Sequence, residues 1–157
     1  MSRRTGSRVL GVDPGRKRVG LACSDLGGVL ASPLETLEVG DDLVAAAREV
    51  ARVALEVGAD TVVVGLPRSL DGSENESTAR ARRLAARIAE SSGLKVELYD
   101  ERFTTELAGR MIGESSGRRK PRRVDRKSGR LDAASAAVML QGWLDRADGV
   151  GGRRRSG

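Results

Sequence analysis

Short apolar runs separated by glycine-rich turns open the chain. "RVLGVD" (8–13) is continuous enough to be a buried strand. In "KRVGLACSD" (17–25), Val19, Leu21 and Cys23 alternate with their neighbours, as they would on one face of a second strand. The intervening Asp13-Pro14-Gly15 predicts a hairpin through a type II turn, with Pro at the second position and Gly at the third. "VLASPLETL" (29–37) is a third strand, and Pro33 places it at a sheet edge or a strand end. The pattern then changes period. The stretch 40–60 contains a helix that Asp41 or Asp42 can cap, with Gly58 just past its end.

"TVVVGLP" (61–67) is a β-branched run of the kind buried on both faces. The polar loop 68–78 follows, and Gly65 and Gly72 are expected to serve tight backbone turns. Ala81, Leu84, Ala85 and Ile88 then recur at helical spacing, with Asn75 or Ser77 available as the cap. A strand over 94–102, a helix over 104–113 and an Ala/Leu-rich helix over 130–147 complete the series. The order β-β-β-α-β-α-β-α-α implies an α/β fold. Its mixed sheet is antiparallel through the first three strands, parallel afterwards, and flanked by helices. One domain is expected over 8–147, between an N-terminal arm (1–7) and a disordered Gly/Arg tail (148–157).

Composition narrows the chemistry. There is no histidine and a single cysteine, Cys23, so an internal disulfide and a Cys/His zinc site are excluded. A lone cysteine on an apolar face is ordinary core, or a link across a dimer. Any catalysis without histidine falls to carboxylates, Lys, Tyr, Cys or a metal-activated water, which favours Mg²⁺ or Mn²⁺. No run reaches a membrane span and no secretory leader is visible, so a cytoplasmic protein with no membrane partner is expected.

Charge is unevenly placed. The net charge is +6, yet residues 115–130 alone carry eight Arg/Lys and one Asp, which leaves the rest near neutrality (6 − 7 = −1). A solvated charge run is the plain explanation. A flexible basic loop that binds a polyphosphate backbone is the functional one, because self-repelling charge gains most from an anionic partner. Aromatics are only 2% of the chain, so readout by base stacking is not expected.

Acids gather at element ends: Asp13 after the first strand, Asp100 and Glu101 at the end of the last, and Asp132 in the first turn of the final helix. Each has a structural explanation, as turn former, surface residue or helix-dipole partner. Strand alternation cannot choose between Asp100 and Glu101. Taken together, they sit where α/β sheets build ligand sites, and converging carboxylates suit divalent cations. Around them stand cations suited to phosphate contact: Lys17 and Arg18 after the first turn, Arg68 in the polar loop, and Arg80, Arg83 and Arg87 on one helix face. Arg102 lies beside Glu101, and Lys127 and Arg130 precede Asp132.

"GVDPGRKRVGLACSD", "VVVGLPRSLDGSENESTARARRLAARI", "YDERFTT" and "RKSGRLDAASAAVMLQGWL" closely resemble the YqgF/RuvX family over about residues 8–146. These are bacterial RNase H-like nucleases, described as pre-16S rRNA processing enzymes or as candidate Holliday junction resolvases. The resemblance implies an RNase H-like, mixed five-stranded sheet. It matches the family's motif acids to Asp13, Glu101 and Asp132 and so selects Glu101 over Asp100. It also implies two-metal hydrolysis that leaves 5′-phosphate and 3′-hydroxyl ends. Asp13-Pro14-Gly15 is closer to RuvC-type resolvases than to many relatives, but the fourth strand ends in "VVVGLP" without the acid those resolvases carry there.

The expected function is a metal-dependent endonuclease for the 5′ end of pre-16S rRNA. A four-way DNA junction is the alternative substrate, and a non-catalytic rRNA-binding factor is the alternative class. The expected state is a monomer or a homodimer, since symmetric junction cutting needs two sites. An actin/Hsp70-like phosphotransferase would need a second phosphate loop, of which the 157 residues contain no copy.

Overall fold

The computed structural model describes residues 7–69, 71–101 and 130–156, with side chains of the last helix described over 132–146. Strands β1 (Arg8–Pro14), β2 (Arg18–Ser24) and β3 (Ala31–Glu38) precede helix α1 (Leu43–Glu56). Strand β4 (Ala59–Leu66), helix α2 (Glu76–Ser92), strand β5 (Lys95–Asp100) and helix α3 (Arg130–Ser156) follow. The helix expected over 104–113 lies outside the described residues, as does the basic loop expected over 115–130 except for its last residue, Arg130, which opens α3.

The strands form one five-stranded sheet in the order β3-β2-β1-β4-β5. β1 is the pivot, antiparallel to β2 and parallel to β4, while β4 is parallel to β5. The mixed sheet expected from the element order is therefore present. β3 lies at the edge, where Pro33 costs no interior ladder bond.

Period-2 alternation sorts the strand residues between two cores. Leu10 and Val12 of β1 and Val62 and Val64 of β4 pack with Val50, Leu84 and Ile88 of α1 and α2. Val9 and Val63 face the other way and pack with Tyr99 and with Ala136, Met139 and Leu140 of α3. Gly11, Asp13 and Gly65 share the parity of the second set, so they belong to the α3 side of the sheet.

Capping follows sequence chemistry. Asp42 accepts from Val44 N and Ala45 N at the start of α1. Asn75 and Thr78 form a reciprocal capping box at the start of α2, which ends at Gly93 in the left-handed region.

Four expectations require correction. Pro14 is the last residue of β1, paired with Val19, and the hairpin is closed by Gly15 N donating to Arg18 O at 2.9 Å. Gly15 has no positive φ, so the turn is not type II at Asp13-Pro14-Gly15. The ladder extends one residue further because a proline at a strand end forfeits no bond. Second, Gly65 lies inside β4 rather than in a turn; Gly72, at φ 91°, does make one. Third, α3 continues past the expected stop at 147 to Ser156, so the tail expected to be disordered is helical. Once nucleated, a helix adds residues at small cost, even though each glycine costs about 1 kcal/mol relative to alanine. Fourth, Ser7 belongs to the fold and not to the arm: its hydroxyl donates to Asp60 Oδ2 at 2.8 Å.

α3 lies against the sheet at glycines. A Cβ on Gly11 would stand 2.9 Å from Leu140 Cβ, and one on Gly20 would overlap the Asp132 carbonyl of the backbone. Both contacts are set by the α3 backbone, to which Leu140 Cβ is fixed, and the contact at Gly20 is the closer of the two. We expect Gly11→Ala to lower stability by about 1–3 kcal/mol, as overpacked cores do, and Gly20→Ala to cost more. Urea unfolding of both variants checks the ranking.

Candidate active site

Three elements bring carboxylates to the carboxyl-terminal edge of the parallel strands. Asp13 is the penultimate residue of β1, on the α3 side of the sheet. Glu101 is the first residue after β5. Asp132 lies in the first turn of α3, where a negative charge complements the helix dipole. β4 separates β1 from β5, so two strand spacings divide Asp13 from Glu101. Gly65 closes that gap. A Cβ at this position would overlap the Glu101 carboxylate, so the glycine leaves the channel through which Glu101 reaches across β4.

Asp13 and Glu101 meet in a side-chain hydrogen bond. Burial raises the Asp13 carboxyl above its ordinary range; the bond to Glu101 partly offsets this, and the charge of Asp132 adds to it. Burial pushes Glu101 further, to about 10, reinforced by the bond to Asp13 and by the charges of Asp13 and Asp100. The two groups therefore share one proton at neutral pH. The proton belongs to the pair, and Glu101 is the carboxyl pushed further towards its neutral form. Between the ordinary Glu101 value of 4.5 and about 10, the folded chain keeps a proton that the unfolded chain has released. The pair consequently lowers stability as pH rises through that window.

Asp132 stands near enough to act on Asp13, but its Oδ2 faces Arg18 Nη1 at 3.6 Å, in a pair about one-third exposed. Among the described residues, no three His, Cys, Asp or Glu side chains form a preassembled metal shell. The donor set nonetheless fits a hard divalent cation: two oxygen donors, deeply placed, already in contact, with a third carboxylate beside them. A cation would replace the shared proton and relieve the repulsion that the proton now suppresses.

The cations separate into groups. Arg18 adjoins the acids through Asp132. Arg68 approaches Asp100 Oδ2 at 4.0 Å and so stands beside the Glu101 strand end. Lys17 is exposed at the hairpin tip, next to Arg18. Arg80 turns inward and donates to the carbonyls of Arg16 (3.4 Å) and Gly40 (3.2 Å), tying α2 to two loops. Arg83 is exposed on α2, and Arg87 pairs with Glu90. Arg102 and Lys127 lie outside the described residues, as does the side chain of Arg130.

Sequence reasoning missed that Gly65 leaves the space that the Glu101 carboxylate fills. The choice between Asp100 and Glu101 had a usable signal. Trp143 of α3 donates to Glu97 Oε1 at 3.4 Å, and Tyr99 packs under the same helix. The parity of residues 97, 99 and 101 therefore follows the α3 side, where Asp13 also faces.

A family model described as "RuvX: Holliday junction resolvase" matches residues 7–146. The chain is 41% identical over 139 residues to a protein of Anaeromyxobacter sp., covering 88% of this chain and 96% of that one. It is 38% identical over 146 residues to one of Chlorobaculum tepidum, covering 92% and 98%. Both relatives carry the name "Putative pre-16S rRNA nuclease". In fold it is similar to the RuvC of T. thermophilus in complex with a Holliday junction substrate, with a TM-score of 0.56 at 19% identity over 91% of this chain and 96% of that one. The RNase H-like architecture expected from the sequence is thus the one observed. With that match across most of its length, the chain belongs to the RuvX family.

Proposed function

We propose that this protein is an endonuclease dependent on Mg²⁺ or Mn²⁺ that hydrolyses phosphodiester bonds in structured nucleic acid, with the 5′ end of pre-16S rRNA as its substrate. The observation that carries this reading is the half-buried Asp13–Glu101 pair, in contact at the strand ends of a RuvX-family chain. Two carboxylates kept in contact by a proton form a site poised to exchange that proton for a cation. The names of the curated relatives support an rRNA end as substrate. The family description supports a four-way DNA junction as the second reading.

Asp13 and Glu101 would hold the cation from the floor of the site, and Asp132 would approach from α3. A divalent cation bound there supplies an activated water for attack at phosphorus and stabilises the leaving oxygen. The chain's own residues do the remainder. Gly65 keeps the path open for Glu101. Arg18, which pairs with Asp132, would contact a non-bridging phosphate oxygen. Lys17, Arg68 and Arg83, together with Arg102, Lys127 and Arg130, would contact the backbone without reading bases. Neither Lys nor Tyr is needed as a base.

Two measurements test the site. Wild type with Mg²⁺ or Mn²⁺ is expected to cut a precursor of small-subunit rRNA, and Asp13→Asn to lose roughly 100-fold or more of that rate, since it removes a cation-holding carboxylate. A four-way DNA junction assayed beside it identifies the preferred substrate. Equal cutting by the variant, or none by either protein, would favour a non-catalytic rRNA-binding factor.

The second measurement is proton release. At pH 7 Glu101 is neutral, because its carboxyl is raised to about 10. Binding Mn²⁺ must therefore expel about one proton, and affinity must rise with pH across the neutral range. Calorimetric titration in buffers of different ionisation enthalpy counts that proton. Glu101→Gln should abolish its release, and an unchanged count in that variant would contradict the shared-proton assignment.

A further inference from the structure

The loop between β4 and α2 contains an ion cluster that the proposed hydrolysis leaves unused. The Glu74 carboxylate accepts from Arg82 Nε at 3.1 Å, and its other oxygen pairs with Arg82 Nη2. That second oxygen also accepts from Arg68 Nη2 at 3.3 Å. Arg68 extends further, to the carbonyl of Gly72 at 3.5 Å and towards Asp100 at 4.0 Å, one residue before Glu101. Its Nε is buried without a hydrogen-bond partner among the described residues. Two guanidiniums thus converge on one carboxylate beside the strand end that presents Glu101.

This arrangement exceeds what loop stability requires. The loop is already fixed by the Asn75–Thr78 capping box, by the Ser69–Ser73 and Ser69–Gly72 backbone bonds, and by Asp71 accepting from Ser73 N. Glu74 and Arg82 have side chains 42% and 43% exposed, and pairs so placed in water contribute little to folding. Guanidinium forks match phosphate oxygens as well as carboxylate oxygens, and a phosphodiester offers the same two-oxygen face with one negative charge. Arg82 draws the Glu74 carboxyl below its ordinary range, chiefly through their hydrogen bond, so the carboxylate remains a charged occupant at neutral pH.

We propose that Arg68 and Arg82 form a binding site for a backbone phosphate of the nucleic-acid substrate, and that Glu74 occupies this site as an internal stand-in which the phosphate displaces. The proposal rests on the nucleic-acid reading above and deepens it. It adds Arg82, two positions from Arg80, and gives Arg68 a partner. It also gives Glu74 a role: the site is closed to single anions and opens to a strand that brings further phosphates to neighbouring cations. Because Arg68 also approaches Asp100, the bound phosphate would lie a short distance along the backbone from the acids, which sets the register of the strand in the site.

The test is binding without cleavage. A fluorescein-labelled RNA hairpin with a 5′ single-stranded extension is titrated in EDTA and read by anisotropy. Glu74→Gln is expected to tighten binding about fivefold, by removing the competing carboxylate. Glu90→Gln makes the same charge change at the far end of α2 and frees Arg87, and is expected to change affinity less than twofold. In the Arg68→Ala/Arg82→Ala background the gain from Glu74→Gln should fall below twofold. Should that background not fold by thermal melting, Arg82→Ala alone serves, and there the gain should at least halve.

Equal effects of Glu74→Gln and Glu90→Gln, or a gain that survives loss of the arginines, would overturn the site while leaving the nuclease reading intact. A wild-type protein that does not bind the hairpin, or a four-way junction titrated in parallel, would overturn both.

Discussion

Close contact between α3 and the sheet depends on missing side chains. Gly11 receives Leu140, and Gly20 lies directly under the backbone of Asp132. Gly142 of the helix in turn makes room for the Tyr99 hydroxyl on β5. Glycine inside a strand or helix weakens that element, so these positions give up local propensity for proximity. The return is positional. With an ordinary Cβ at residue 20, the first turn of α3 would stand away from β2, and Asp132 would leave the neighbourhood of Asp13. Gly65 applies the same device on β4, where the empty space is filled by the Glu101 carboxylate instead of a helix.

The acids so assembled are costly to bury. Two carboxylates in contact, away from water, cannot both stay ionised without a counter-charge. The fold resolves this with one shared proton and with Arg18 beside Asp132. Each device is replaceable. A proton can be exchanged for a cation, and a guanidinium one-third exposed can turn to another anion. The electrostatic tension of the site is therefore what makes it receptive. A core built for stability alone would place apolar side chains here.

Much of this architecture could be read along the chain. Element order and hydrophobic period gave the five strands, the three helices described and the mixed sheet, and the acids were visible at element ends. What escaped was three-dimensional in origin. The Pro-Gly pair signalled a turn, but its register depends on how far the β1–β2 ladder runs. Gly65 looked like a turn glycine because sequence does not show that a side chain two strands away needs its space. Arg80, Arg83 and Arg87 formed a stripe by spacing, yet Arg80 turns inward to two carbonyls and Arg82 takes the loop carboxylate. Helical geometry fixes which residues share a face; the neighbours that capture each long side chain come from elsewhere in the fold. Glu101 was selected by family resemblance, although the parity of Glu97 and Tyr99 under α3 leads to the same residue on physical grounds.

The three acids come from the beginning, the middle and near the end of the chain: Asp13, Glu101 and Asp132. Asp13 and Glu101 meet only when β5 stands beside β4 in the sheet, and Asp132 joins them only when α3 packs on β1 and β2. The cluster is therefore a property of the assembled sheet: no single element carries two of its acids, and fraying of β5 or undocking of α3 dismantles it.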